Sequence, residues 1–254
     1  MVSAIAEAPA YSPKFYAFYN ALGFADMDTE AKALKELGYA GVSVVLGDGY
    51  GKLPKLVEVY ERHGLEVLSL YLNVDEKPLP EAFLAHLKQR NALAEVTVTK
   101  KGPNTVAALK QSADMAQKLG VKLTLYPHAG FSVATMQDAL DLIDEVDHPN
   151  LGVSFNLAHF LKVEDVATLE EVIRQSAPHL FCVNTNGANV GGKSWDELIM
   201  RLGEGDFPQE QLLRVLQEVG YQGPVGMQCF GVKGDKLGNL RLSIEAWNAA
   251  RQSL

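Results

Sequence analysis

The chain has 254 residues, of which 47% are hydrophobic and 21% charged, and its formal net charge is −8. That length suits one closed barrel, and the apolar fraction is enough to bury a large core without disulfides or a structural metal. The acidic excess is scattered, which argues against a nucleic-acid partner needing concentrated Lys and Arg, and no apolar run approaches the roughly 20 residues of a membrane span.

In chain order, residues 1–13 are expected to form a flexible amino-terminal arm ahead of a single domain over 14–254. The first ten residues are too short and too weakly apolar for an intact secretory h-region, although the frayed remainder of one is an alternative reading. A first strand is predicted over 14–20. Four units of one design then recur: an amphipathic run, a glycine, and a short apolar strand. They are 31–37 with Gly38 and 41–46; 56–63 with Gly64 and 66–72; 105–119 with Gly120 and 121–126; and 209–219 with Gly220 and 225–229. Glycine just past a helix takes the left-handed conformation without a Cβ clash, so each is a helix stop. Predicted N-caps are Asp28, Asn104 and Ser132. Further strands rich in Val, Phe, Leu and Thr are predicted at 94–99, 151–157 and 180–185, which brings the count to eight. Strands alternating with helices at this spacing imply parallel crossovers, and eight favours an α/β fold closed as a (β/α)₈ TIM barrel. A Rossmann-like sheet is the alternative, but no Gly-x-Gly-x-x-Gly turn follows the first strand. Cys182 and Cys229 lie in strand-like apolar runs and read as buried free thiols.

In such a barrel the site lies at the C-terminal strand ends, and lumen-facing side chains alternate. One face then carries Thr124, Tyr126 and His128; the next strand gives Ser154 and Asn156; the next Cys182, Asn184 and Asn186; and the last Gly226, Gln228 and Phe230. Polar groups collect at the top of these rows.

The segments Gly120-Val-Lys-Leu-Thr-Leu-Tyr-Pro-His128, Ser154-Phe-Asn-Leu-Ala-His159, Leu202-Gly-Glu-Gly-Asp206 and Gly220-Tyr-Gln-Gly-Pro-Val-Gly-Met-Gln228 resemble the xylose isomerase-like family of TIM barrels. That family includes sugar-phosphate isomerases and epimerases, with aldolase-like and nuclease relatives, and the resemblance runs from Phe15 to about Ala250. It implies a divalent cation held by Glu, Asp, His and Glu on strands five to eight. At those positions this sequence has Tyr126, Asn156, Asn184 and Gln228, and Ser43 stands where an acidic residue is common after strand two. Neutral amides and a phenol offer a hard cation dipoles in place of anionic oxygens, so neither metal nor other cofactor is expected at this place.

His128 and His159 are then the titrating candidates for acid/base work, with Tyr126 as a hydroxyl donor, and each also has a purely structural reading. Asn156, Asn184, Asn186 and Gln228 read either as a sugar- or polyol-binding surface or as an amide network that satisfies itself. Lys100, Lys101 and Lys193 read as solvated loop charges, with contact to an anion as the alternative, and Trp195 and Phe207 as packing for the Leu202–Asp206 turn, with sugar stacking as the alternative. Three functions remain open: a metal-free isomerase, epimerase or lyase acting on a carbohydrate; a non-catalytic barrel that binds a small ligand or partner; and a displaced metal site using His128, His159 and loop carboxylates. A homo-oligomer is compatible with the sequence. Free thiols suit the cytoplasm, with an exported precursor as the alternative.

Overall fold

Eight short strands pair in parallel and in sequence order, and the last closes on the first. The computed structural model describes residues 11–18, 22, 24–46 and 50–254, so most of the expected arm and the end of the first predicted strand lie outside the described residues. The strands are β1 (Phe15–Phe18), β2 (Gly41–Val44), β3 (Glu66–Asn73), β4 (Leu93–Thr97), β5 (Lys122–Leu125), β6 (Leu151–Asn156), β7 (Leu180–Thr185) and β8 (Val225–Met227). Closure is made by β1 against β8, with Phe15 opposite Val225 and Ala17 opposite Met227. This is the (β/α)₈ barrel anticipated from the repeated units.

The α-helices in chain order are α1 (Met27–Leu37), α2 (Leu53–Arg62), α3 (Glu81–Leu84), α4 (Thr105–Leu119), α5 (Met136–Val146), α6 (Leu157–Val163), α7 (Leu169–Ser176), α8 (Trp195–Leu198), α9 (Gln209–Glu218) and α10 (Lys236–Gln252). Each longer helix lays an apolar face on the outside of the sheet, as α4 does with Ala108, Leu109, Ala113 and Ala116. The chain end is fastened by Trp247 of α10, which stacks on Phe15 with ring centroids 4.3 Å apart.

All four predicted helix-stop glycines adopt positive φ: Gly38, Gly64, Gly120 and Gly220. At Gly120, φ is +68° and an added Cβ would meet nothing nearer than Gln89 at 3.7 Å. Gly120→Ala is therefore expected to lower unfolding stability by about 1–2 kcal/mol, the cost of the left-handed backbone alone, measurable by urea denaturation.

Two predicted N-caps are corrected. The cap of α1 is Asp26, whose carboxylate accepts from Thr29 N at 2.8 Å. Asp28 sits inside the first turn, where it pairs with Arg62 at 2.6 Å. The cap of α5 is Thr135, in a reciprocal box with Asp138, while Ser132 lies in the preceding loop. Asn104 does hold the cap position of α4, though its side chain makes no capping hydrogen bond.

The barrel interior is layered. At its base Tyr16, Leu68, Leu93 and Cys182 form a small apolar cluster. Both cysteines are free and buried. Above that plug the lumen turns polar, with Ser69, Glu95, Thr124, Ser154 and Asn184 all buried. Regular pairing stops at Leu125 and Met227, yet Tyr126 N still donates to Val96 O and Gln228 N to Thr185 O, each at 2.8 Å. Those two residues are thus held in sheet register just where the strands open into the mouth.

Candidate functional site

A cavity of about 330 Å³ opens at the C-terminal ends of the strands. This lies within the range of about 300–1,000 Å³ common for small-molecule sites. Aromatic side chains make most of its wall: Phe18, Tyr71, Tyr126, Trp195 and Phe230, together with the imidazoles of His128 and His159. Gln228 is the one amide in the lining among the described residues.

His159 owes its place to a strand that becomes a helix without a loop. Asn156 ends β6 and caps α6, its Oδ1 accepting from His159 N at 3.2 Å. Its Nδ2 donates to the Tyr126 hydroxyl at 2.5 Å. The Asn156 amide is therefore engaged at both ends, tying the Tyr126 hydroxyl to the start of α6. His128 follows Tyr126 by two residues and is held in a tight turn, with His128 N donating to Val133 O and Phe131 N to His128 O, both at 3.0 Å. Its ring stacks on Phe131, with centroids 4.1 Å apart, and contacts His159, with centroids 4.0 Å apart. Tyr126 meets His159 edge-on at 5.5 Å, and Tyr71 meets Tyr126 in the same way at 5.2 Å.

The loop after β7 brings in Trp195. It is braced by the Leu-Gly-Glu-Gly-Asp turn, where the Asp206 carboxylate accepts from Val190 N at 2.6 Å and Phe207 N donates to Ala188 O at 3.0 Å. Gly205 has φ +79°, and a Cβ there would lie 2.1 Å from Ala188 O, so the turn admits no side chain at that point. Ser194 and Glu197 form a capping box that starts α8. Trp195 then meets the His159 ring in a T-shaped contact, with centroids 5.2 Å apart. Of the two expected roles for Trp195, its place in the cavity lining departs from plain packing of the turn, whereas Phe207 is buried as packing.

The electrostatics follow from burial. Desolvation pushes the Tyr126 phenol well above its ordinary pKa, and the nearby Glu95 pushes it further, so the hydroxyl keeps its proton. Burial first, and then the neighbouring His128, depress His159 to about 3. Burial likewise lowers His128, against a backbone contact to Ala129 that opposes it. Both imidazoles are neutral at pH 7.

The predicted site residues thus divide. Tyr126, His128, His159 and Gln228 come together on the cavity, with Asn156 just behind them. Asn184 does not reach the lining: it lies below, its Nδ2 donating to Glu95 Oε2 at 3.2 Å. Asn186 is turned into the loop, where its Nδ2 donates to Gly187 O and Leu198 O, both at 2.7 Å. The Oδ1 atoms of Asn184 and Asn186 and the Ser43 Oγ are buried without a hydrogen-bond partner among the described residues.

Glu95 is a buried lumen residue outside the predicted site set. This side chain is fully buried in the lumen, where it accepts from Ser69 Oγ at 2.5 Å, Ser154 Oγ at 2.9 Å and Asn184 Nδ2. Desolvation raises its pKa, and the three donors offset that only in part. A lone charged residue in the apolar run of β4, in phase with the lumen, was the available signal. The interior is therefore not free of acidic groups.

Among the described residues, the donor set does not suit a divalent cation. The positions facing the mouth carry a phenol and amides, and both Glu95 oxygens are already hydrogen-bonded. Among the described residues, no three His, Cys, Asp or Glu side chains are grouped so as to hold a metal ion. No helix among them is long and apolar enough to cross a membrane.

Comparison with known proteins bears on this site. The profile of a family described as xylose isomerase-like TIM barrel matches residues 102–250. A D-psicose 3-epimerase of Ruminiclostridium cellulolyticum is 26% identical over 156 residues, spanning 59% of this chain and 48% of that protein. An inosose isomerase of Halalkalibacterium halodurans is 27% identical over 128 residues, spanning 49% of this chain and 45% of that protein. The chain thus spans about half the length of these curated relatives. The solved structure of an L-ribulose 3-epimerase superposes with a TM-score of 0.74 over 95% of each chain; at 14% identity, that likeness is one of fold.

Proposed function

The chain belongs to the xylose isomerase-like TIM-barrel family, and on that premise we propose that it acts on a carbohydrate-derived small molecule in isomerase or epimerase fashion, without a divalent cation. The observation that carries this is the Tyr126–Asn156–His159 cluster. Where a cation would need anionic oxygens, a phenol and an amide hydrogen-bond each other and hold an imidazole against the cavity. The sugar-epimerase and inosose-isomerase relatives support the ligand class. The ring-rich wall supports it too, since a sugar's C–H face packs on aromatic rings while its hydroxyls reach Gln228 and the imidazoles.

Isomerisation or epimerisation beside a carbonyl needs a base to take a carbon-bound proton and a donor to steady the oxygen as it gains charge. Tyr126 and Gln228 are placed to serve the oxygen. His128, less buried than His159, is the stronger base of the two imidazoles. A second reading, ligand binding without turnover, is favoured by one observation: burial leaves His159 a very weak base.

The test is a thermal-shift panel of ketoses, aldoses and inososes with and without chelator, followed by exchange of carbon-bound hydrogen in D₂O. One sugar is expected to stabilise the protein equally in both conditions, by about 2.7 kcal/mol at a hundredfold excess over Kd. Gln228→Ala is expected to remove most of that gain, and deuterium is expected to enter the bound sugar. Stoichiometric metal in the purified protein, with ligand binding abolished by chelator, would defeat the metal-free reading. Binding without deuterium uptake would select the non-catalytic one.

A further inference from the structure

The backbone of one residue, Ala129, touches both imidazoles through its two successive peptide groups. The Nδ1 atom of His128 lies 3.0 Å from Ala129 O. A carbonyl oxygen can only accept, so Nδ1 of His128 carries the hydrogen. The Nδ1 atom of His159 lies 3.3 Å from Ala129 N. A backbone N–H can only donate, so Nδ1 of His159 is bare. A neutral imidazole has one protonated and one bare nitrogen, so each contact decides the state of the far nitrogen as well. We propose that Ala129 fixes the two rings in opposite tautomers, so that the cavity presents one imidazole acceptor, His128 Nε2, beside one imidazole donor, His159 Nε2–H.

Three further observations hold this arrangement in place. The rings are in contact, with centroids 4.0 Å apart, so a second proton on either would meet the other's edge in a poorly solvated space. Ring contacts with both Phe131 and His159 restrain His128 from turning. Neither Nε2 has a hydrogen-bond partner among the described residues, and both rings line the cavity, which leaves the two atoms for a ligand. A donor beside an acceptor matches a ligand edge that bears a hydroxyl next to another oxygen: the hydroxyl gives its hydrogen to His128, and the neighbouring oxygen takes one from His159. The division of roles also makes His128 the proton acceptor and His159 the group that steadies oxygen. This ligand assignment rests on the carbohydrate reading above; the tautomers themselves do not.

The experiment is a long-range ¹H–¹⁵N correlation spectrum of ¹⁵N-histidine-labelled protein at pH 7.5, with His128→Gln and His159→Gln used to assign the two rings. Expected are a protonated Nδ1 and bare Nε2 for His128, the less common tautomer in water, and the reverse for His159. Two rings of the same tautomer, or either ring as a cation, would overturn the proposal.

D-psicose binding then reads the roles. In His159→Gln the amide N–H reaches the place of Nε2–H, and affinity is expected to stay within about threefold of the parent; in the shorter His159→Asn it is expected to fall about tenfold. Equal losses in both variants would overturn the donor role. If the parent binds no D-psicose, the sugar site is what fails, and the nitrogen shifts alone decide the pair.

Discussion

Replacing Glu95 by alanine is expected to lower unfolding stability by about 3–5 kcal/mol, whereas Glu95→Gln is expected to be at least as stable as the parent at pH 8. The two outcomes differ because the side chain has two separable roles. As a hydrogen-bonding hub it satisfies Ser69, Ser154 and Asn184, all buried in the lumen. Alanine leaves those groups facing a void, and buried groups without partners cost about 1–3 kcal/mol each unless they find one another. Some repair is available, since Thr124 Oγ1 already lies 3.4 Å from Ser154 Oγ. Glutamine keeps the hub, because serine hydroxyls rotate to give or take a hydrogen.

As a charge, Glu95 is a burden: no ion pair supports it among the described residues, and burial pushes its pKa up. The folded protein therefore binds this proton more tightly than the unfolded chain does. Stability from the protonated acid is present below the unfolded carboxyl pKa and is lost as pH rises through the folded one. The advantage of Glu95→Gln over the parent should consequently widen from pH 5, just above the ordinary carboxyl range, to pH 8 in urea titrations. If Glu95→Gln proves as damaging as alanine at both values, a charged carboxylate is needed at the barrel's centre, and this account of the lumen is wrong.

The fold was legible because its signals are local and repeated. Gly38, Gly64, Gly120 and Gly220 each end a helix in the left-handed conformation, and the strands between them form one closed parallel ring. The caps were less legible. Asp26 and Asp28 are the same residue type two positions apart, and only the entry angle of the chain decides which meets the first free N–H groups. At the site, alternation along each strand correctly brought Tyr126, His128 and Gln228 to the mouth. It failed for Asn186, because regular pairing of β7 ends at Thr185 and the chain turns away there. Trp195 was invisible to any strand-based argument. It reaches the cavity through a loop whose shape is set by backbone contacts at Ala188 and Gly205, more than ten residues apart. The tautomers of His128 and His159 depend on the backbone N–H and C=O of Ala129, which no residue letter identifies.

Two buried groups should give opposite limbs to the pH profile of stability. The His159 imidazole is depressed from 6.5 to about 3, chiefly by burial. The unfolded chain takes up that proton first, so stability is complete above the unfolded pKa near 6.5 and drains away as pH falls toward the folded value. At about 1.4 kcal/mol per unit this limb is worth at most roughly 4–5 kcal/mol, and less if water reaches the cavity. Glu30 behaves in the contrary sense. Burial raises its carboxyl from 4.5 to about 7, although Tyr60 donates a hydrogen bond to it. Its contribution is complete below pH 4.5 and is lost as pH rises through 7, roughly 3 kcal/mol in all.

Where these windows overlap, between pH 4.5 and 6.5, the two slopes largely cancel, so the parent alone would show little there. The variants separate them. Urea titrations from pH 3.5 to 8 should find Glu30→Gln gaining on the parent as pH climbs, and His159→Gln gaining on it as pH drops. Curves that run parallel to the parent for Glu30→Gln would mean that water reaches the α1–α2 contact and leaves the carboxyl near its ordinary pKa. Parallel curves for His159→Gln would mean the same of the aromatic mouth, and a solvated, ordinarily basic His159 would then compete with His128 for the role of proton acceptor.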